Sequence, residues 1–126
     1  MFQWLRGDKR LVGRWRSDRE RTMAEWPFST DTPEEKRVRV ANMFGKLELS
    51  YSRWRCESLF NGTREISWYQ VLAADAESVM IRRWTPAPFL GRRQSLSHIH
   101  FDGDSYWITL GSSNTREFFR RMDTSR

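Results

Sequence analysis

Along most of this chain apolar and polar residues alternate with a period of two, the spacing of a strand that buries one face. The pattern begins at Leu11-Val12-Gly13-Arg14-Trp15-Arg16-Ser17. It returns at residues 46–52, where Leu47, Leu49 and Tyr51 share a face, and at 53–58, where Trp54, Cys56 and Ser58 do. Further strands are expected over 63–73, 78–85, 94–102 and 105–110. Asn61-Gly62 marks a tight hairpin, because a two-residue turn of that kind takes positive φ at both positions. Asp75-Ala76-Glu77 and Gly103-Asp104 supply other turns, and Pro86-Ala87-Pro88 with Gly91 marks a longer loop. Residues 115–122 fit either a last strand or a helix capped by Asn114, and the strand is the favoured reading.

One segment has helical character. Thr32 can cap it, Pro33 suits its first position, and Glu34 and Glu35 complement the positive end of the helix dipole. A helix is expected over 33–44, ending at Gly45, with Val38 and Ala41 toward the core. Between Asp18 and Asp31 no period holds, and Trp26-Pro27 argues against a continuous helix. Seven or eight short strands with one early helix predict a mostly β fold: an antiparallel, up-and-down, closed barrel of about eight strands. Closure removes the two adhesive edges that so long a meander would leave. The alternative is an α+β curved sheet packed on the helix.

Gly13-Arg14-Trp15 on the first strand resembles the Gly-x-Trp signature of lipocalins and their calycin relatives. The resemblance implies that Trp15 closes one end of the barrel and that an arginine near the last strand, Arg120 or Arg121, packs across its ring. Cation–π attraction and a hydrogen-bonding guanidinium suit that task. It also implies that the aromatic segment 2–5 is similar to the N-terminal turn that plugs the barrel base. The helix stands between the first and second strands, whereas typical lipocalins carry theirs near the C-terminus. The chain therefore resembles the compact, intracellular lipocalin-like domains, a group whose fold implies no particular ligand.

With 126 residues and 38% hydrophobic content, residues 1–126 are expected to form a single lipocalin-like domain. Aromatic side chains (7 Trp, 8 Phe, 3 Tyr) are numerous enough to dominate its core. The net charge of +6 is spread over both halves of the chain without a basic tail. It would draw polyanions only weakly, and no recognition motif supports a specific nucleic-acid partner. Cys56 is the sole cysteine, which excludes an intrachain disulfide and a cysteine metal cluster and favours a reducing compartment. The first residues lack the charged and apolar blocks of a leader, and no stretch has the apolar length of a membrane span; a cytoplasmic location is the expectation.

The leading function expected is non-catalytic binding of a small apolar or amphipathic molecule in the barrel interior. The expected lining is Tyr51, Trp54, Trp68 and Gln70, together with Trp15, a mixture of aromatic walls and a few polar groups. His98-Ile99-His100-Phe101-Asp102 puts both histidines and Asp102 on one strand face. His98 and His100 are taken as polar lining of the ligand site. A metal role would need a further ligand from another strand, and ordinary hydrogen bonding is the plainest use of either ring. No metal and no cofactor are expected. Arg82-Arg83 and Arg92-Arg93 flank the proline loop and could receive an anion at the barrel mouth, but a solvated charged rim is the favoured reading. Two alternatives stand beside ligand binding: a filled barrel used for protein contacts or stability, and a metal- or histidine-dependent enzyme built on His98 and His100. Large rings can fill a small barrel as readily as they can line a pocket.

Overall fold

In the computed structural model, which describes residues 7–87, 91–111 and 115–122 (backbone alone at 87 and 91–93), the chain forms eight strands. They are β1 (Gly13–Ser17), β2 (Glu48–Tyr51), β3 (Arg55–Phe60), β4 (Thr63–Ala74), β5 (Ser78–Ala87), β6 (Gly91–Asp102), β7 (Ser105–Thr109) and β8 (Arg116–Arg121). Each pairs antiparallel with the next, and β8 pairs back onto β1, so the sheet closes into an up-and-down barrel. The last segment is a strand. Asn61 and Gly62 take φ of 50° and 83°, the positive values their hairpin demands.

Strand alternation turns one set of side chains inward. Trp15, Leu49, Tyr51, Cys56, Tyr69, Val71, Val79, Ile81, Ile99, Tyr106 and Phe119 form one buried cluster. Its centre is aromatic: the Tyr106 ring meets Trp15 edge-on at 4.7 Å and stacks on Phe119 at 4.9 Å. β5 and β6 stay paired out to Ala87 and Gly91, so strand structure continues through Pro86 and the longer loop expected there is cut back.

The helical region departs from expectation. Two short helices, α1 (Arg19–Ala24) and α2 (Glu34–Ala41), lie between β1 and β2. Asp18 caps α1 through its carboxylate, which accepts from the Arg21 N–H, and the helix stops short of Trp26-Pro27. It rests outside β8, where Arg21 sits over the Phe118 ring at 4.2 Å and the Thr22 hydroxyl accepts the Phe118 N–H at 3.0 Å. The expected packing of Val38 and Ala41 onto the core is not found: α2 buries none of its residues, and Val38 is 48% exposed. A closed barrel fills its interior from its own strands and leaves α2 no sheet face to cover. The apolar anchor of this region is Phe44 instead, buried against the Trp26 ring at 5.2 Å.

Candidate functional site

Contacts that start at Gly13 join the last strand to the segment before the first. This residue takes φ of +136°, and a β-carbon there would run into the Arg121 guanidinium. The space left free lets Arg121 lie over the Trp15 ring, 4.2 Å from its centroid. From there Arg121 donates to the Val12 carbonyl at 3.1 Å and the Arg10 carbonyl at 2.6 Å. The Trp15 indole N–H donates to the Leu11 carbonyl at 2.9 Å, and Leu11 itself is fully buried. Arg121 rather than Arg120 takes this place because it shares strand parity with inward Phe119, while Arg120 faces solvent. The aromatic segment 2–5, expected to plug the base, lies outside the described residues; within them, Leu11, ahead of β1, is fully buried in the core cluster.

The barrel holds a cavity of about 100 Å³. Its apolar wall is Leu47, Leu49, Ile99, Ile108 and Phe119, and its polar groups are Tyr51, Arg83, Ser97, Tyr106 and Glu117. The Tyr51 and Tyr106 hydroxyls lie 3.3 Å apart, both on buried side chains. Burial pushes the Tyr51 hydroxyl up to about 12, reinforced by Cys56 and opposed by Arg83, and it raises Tyr106 as well. Burial likewise lifts the Cys56 thiol, against the opposing charge of Arg83. These three groups are therefore neutral near pH 7 and cannot balance the guanidinium beside them. Glu117 is also pushed up by burial, partly offset by the Ser17 hydroxyl, which donates to its Oε2 at 3.0 Å. Among the described residues no carboxylate forms an ion pair with Arg83.

Only part of the expected lining is brought together here. Tyr51 is inside. Trp54 is not, because the alternation expected over 53–58 is interrupted by a turn at 52–54, where the Ser52 N–H donates to the Arg55 carbonyl at 2.8 Å. Trp54 stands in that turn, 53% exposed, with Arg53 over its ring. Trp68 and Gln70 face outward because Ser67, Tyr69 and Val71 take the inward parity of β4; Trp68 is 46% exposed. His98 and His100 likewise point away from the cavity, since Ile99 between them is the inward residue.

Outside the barrel the two histidines join a column of stacked groups. Their rings lie 4.0 Å apart, His100 stacks on Trp107 at 3.9 Å, and Arg116 covers the other face of the column at 4.0 Å from Trp107. The His98 Nε2 is 2.8 Å from the Ser78 hydroxyl, which donates to Asp75. Burial and the neighbouring His98 both lower the His100 pKa. Asp102, on the same outer face, pairs with Arg21 at 2.5 Å. Among the described residues no group of three histidine, cysteine, aspartate or glutamate side chains converges as a metal site would require.

Arg83, Tyr106, Ser97 and Glu117 are the interior groups that sequence reasoning missed. Arg83 had the look of a rim residue in an Arg-Arg pair, yet Val79, Ile81 and Arg83 occupy one parity of β5, and that alternation is the signal that places it inside. The side chains of Arg92 and Arg93 lie outside the described residues. Among the described residues no helix is long and apolar enough to cross a membrane. No protein-family model, curated protein or solved structure matches the chain.

Proposed function

We propose that this protein is a non-catalytic, cytoplasmic small-molecule-binding barrel of the calycin type, whose ligand is compact and amphipathic. The observation that carries the reading is the interior cavity, about 100 Å³ in volume, in which an apolar wall faces a small set of polar side chains. Size narrows the ligand. An apolar cavity of about 150 Å³ holds benzene, and pockets for drug-sized molecules run to roughly 300–1,000 Å³. At two-thirds of that volume the matching scale is a compact molecule of about four to six non-hydrogen atoms, and a long acyl chain or a porphyrin is far too large. The calycin assignment is supported by Gly13, Trp15 and Arg121, whose packing is the arrangement the sequence resemblance implies.

The test is a protein-observed NMR titration with compact alcohols and acids of three to four carbons, alongside palmitate. Saturable shifts at Ile99, Ile108 and Tyr51 with a compact compound, and none there with palmitate, are expected. Absence of any saturable shift at these inward residues rejects the interior site.

A second reading, a filled barrel used for protein contacts, is favoured by the outer face of β4. There Ile66, Trp68, Arg55, Arg64 and Pro86 border a shallow groove of about 500 Å³. Tryptophan and arginine are over-represented among residues that carry binding energy at protein interfaces. Sedimentation that shows concentration-dependent association of the wild type, abolished in Trp68→Ala, would favour this second reading.

A further inference from the structure

The interior cavity contains more chemistry than an apolar binder uses. Arg83 presents a permanent positive charge to it, and its immediate neighbours Tyr51, Tyr106 and Cys56 are uncharged at neutral pH. Arg83 is half-buried, and a guanidinium that lines a cavity with no carboxylate paired to it is open to an anion. Its planar fork of donors matches the two oxygens of a carboxylate. The paired Tyr51 and Tyr106 hydroxyls lie beside it, and the one that accepts their shared hydrogen bond keeps its own O–H free to donate to an anion.

Glu117 lines the same cavity but makes no ion pair with Arg83. Its Oε2 is engaged by the Ser17 hydroxyl, which leaves Oε1 to accept from a ligand. A second negative charge next to this carboxyl would be repelled, so a dianion is disfavoured. Burial already holds the Glu117 carboxyl above its usual range, which shows how poorly this end tolerates charge.

We propose that the interior site takes a short monocarboxylate bearing a hydrogen-bond donor, its carboxylate on Arg83 beside Tyr51 and Tyr106 and its donor toward Glu117. The proposal rests on the interior-site reading above and adds the chemical class of the ligand. Cavity volume limits the molecule to about two or three carbons, with a hydroxyl or amino group as the donor. The carboxylate and Arg83 neutralise each other, while Leu47, Leu49, Ile99 and Ile108 cover the short carbon chain.

The experiment compares three probes of nearly equal size by NMR titration of the wild type: 3-hydroxypropionate, propionate and 1,3-propanediol. The Arg83 Nε–H and the Ile99 and Ile108 methyl resonances report binding. 3-Hydroxypropionate is expected to bind at least tenfold more tightly than the diol and about threefold more tightly than propionate. Arg83→Met, with folding checked by far-UV circular dichroism, is expected to bring 3-hydroxypropionate down to the affinity of the diol. Should that variant fail to fold, the wild-type ranking alone decides. Equal affinities for acid and diol, or an Arg83→Met variant that binds the acid as well as the wild type, would overturn the assignment of the anion while leaving the cavity reading intact. Equal affinities for 3-hydroxypropionate and propionate would remove the role of Glu117. Failure of all three probes to shift the inward resonances would reject the cavity reading itself.

Discussion

The guanidinium carbon of Arg121 sits over the Trp15 ring, 4.2 Å from its centroid, while its nitrogens donate to the carbonyls of Arg10 and Val12. One side chain thus ties the last strand to the segment before the first, at the seam where the barrel closes. The geometry separates Arg121 from its neighbour Arg120, which faces solvent. Arg121→Ala is expected to cost about 1–3 kcal/mol through lost cation–π attraction and two lost hydrogen bonds. Arg120→Ala should stay within about 0.5 kcal/mol. Urea denaturation of the two variants checks the contrast.

Tryptophans inside and outside the barrel should respond very differently to truncation. Trp15 is 1% exposed and packs on Tyr106, so Trp15→Ala is expected to destabilise by about 3–5 kcal/mol. Trp54 and Trp68 stand about half in solvent, and alanine at either site should cost about 1 kcal/mol or less. Chemical denaturation midpoints for the three variants measure this directly. A loss at Trp54 or Trp68 as large as at Trp15 would contradict their outward placement.

Glu117 makes stability depend on pH in a direction opposite to most carboxylates. Its pKa in the folded protein is raised above the ordinary value of 4.5 by burial. The folded state therefore binds the proton more tightly than the unfolded chain does, and stability rises as the proton goes on. The contribution is fully present below about pH 4.5 and is lost as pH rises through the raised value. Relative to Glu117→Gln, the wild type should gain stability as pH falls from neutrality toward 4.5. Denaturation of both proteins across that interval tests the sign.

Cys56 is 1% exposed, and burial raises its thiol pKa, so little thiolate forms and reagents have no access to it. An aromatic disulfide reagent is expected to leave the native protein unmodified and to label one thiol per chain once urea unfolds it. Rapid labelling of the native protein at neutral pH would show that the interior opens far more readily than its packing implies.

Much of the architecture was legible before any coordinate, because its causes are local. Alternation of apolar and polar residues specifies which segments are strands, Asn61-Gly62 specifies a hairpin through its positive φ values, and a long antiparallel meander has closure as the way to lose its edges. Gly13, Trp15 and an arginine near the C-terminus were readable as a unit only through the resemblance of Gly13-Arg14-Trp15 to the lipocalin signature, because the packing joins residues at opposite ends of the chain. A helix was readable within 33–44, but it ends at Ala41, Pro33 rather than Thr32 stands at its N-cap with no side-chain hydrogen bond, and what it covers was not readable. Capping and dipole effects act within one turn, whereas burial depends on whether another surface is present, and α2 finds none.

Beyond the face of Leu47, Leu49 and Tyr51, the lining of the interior was decided by the tertiary structure. A strand's alternation says that two faces exist but does not say which one turns inward once a turn or a bulge resets the count. The turn at 52–54 moved Trp54 outside, and parity on β4 and β6 did the same for Trp68, Gln70, His98 and His100. The same rule carried Arg83, which its sequence neighbours make look like a solvated rim residue, into the barrel beside Tyr51, Tyr106 and Cys56. Charge and composition are properties of the chain, and they were known from the start. Whether a given charge meets water or a cavity is a property of closure, because only the assembled barrel separates the two.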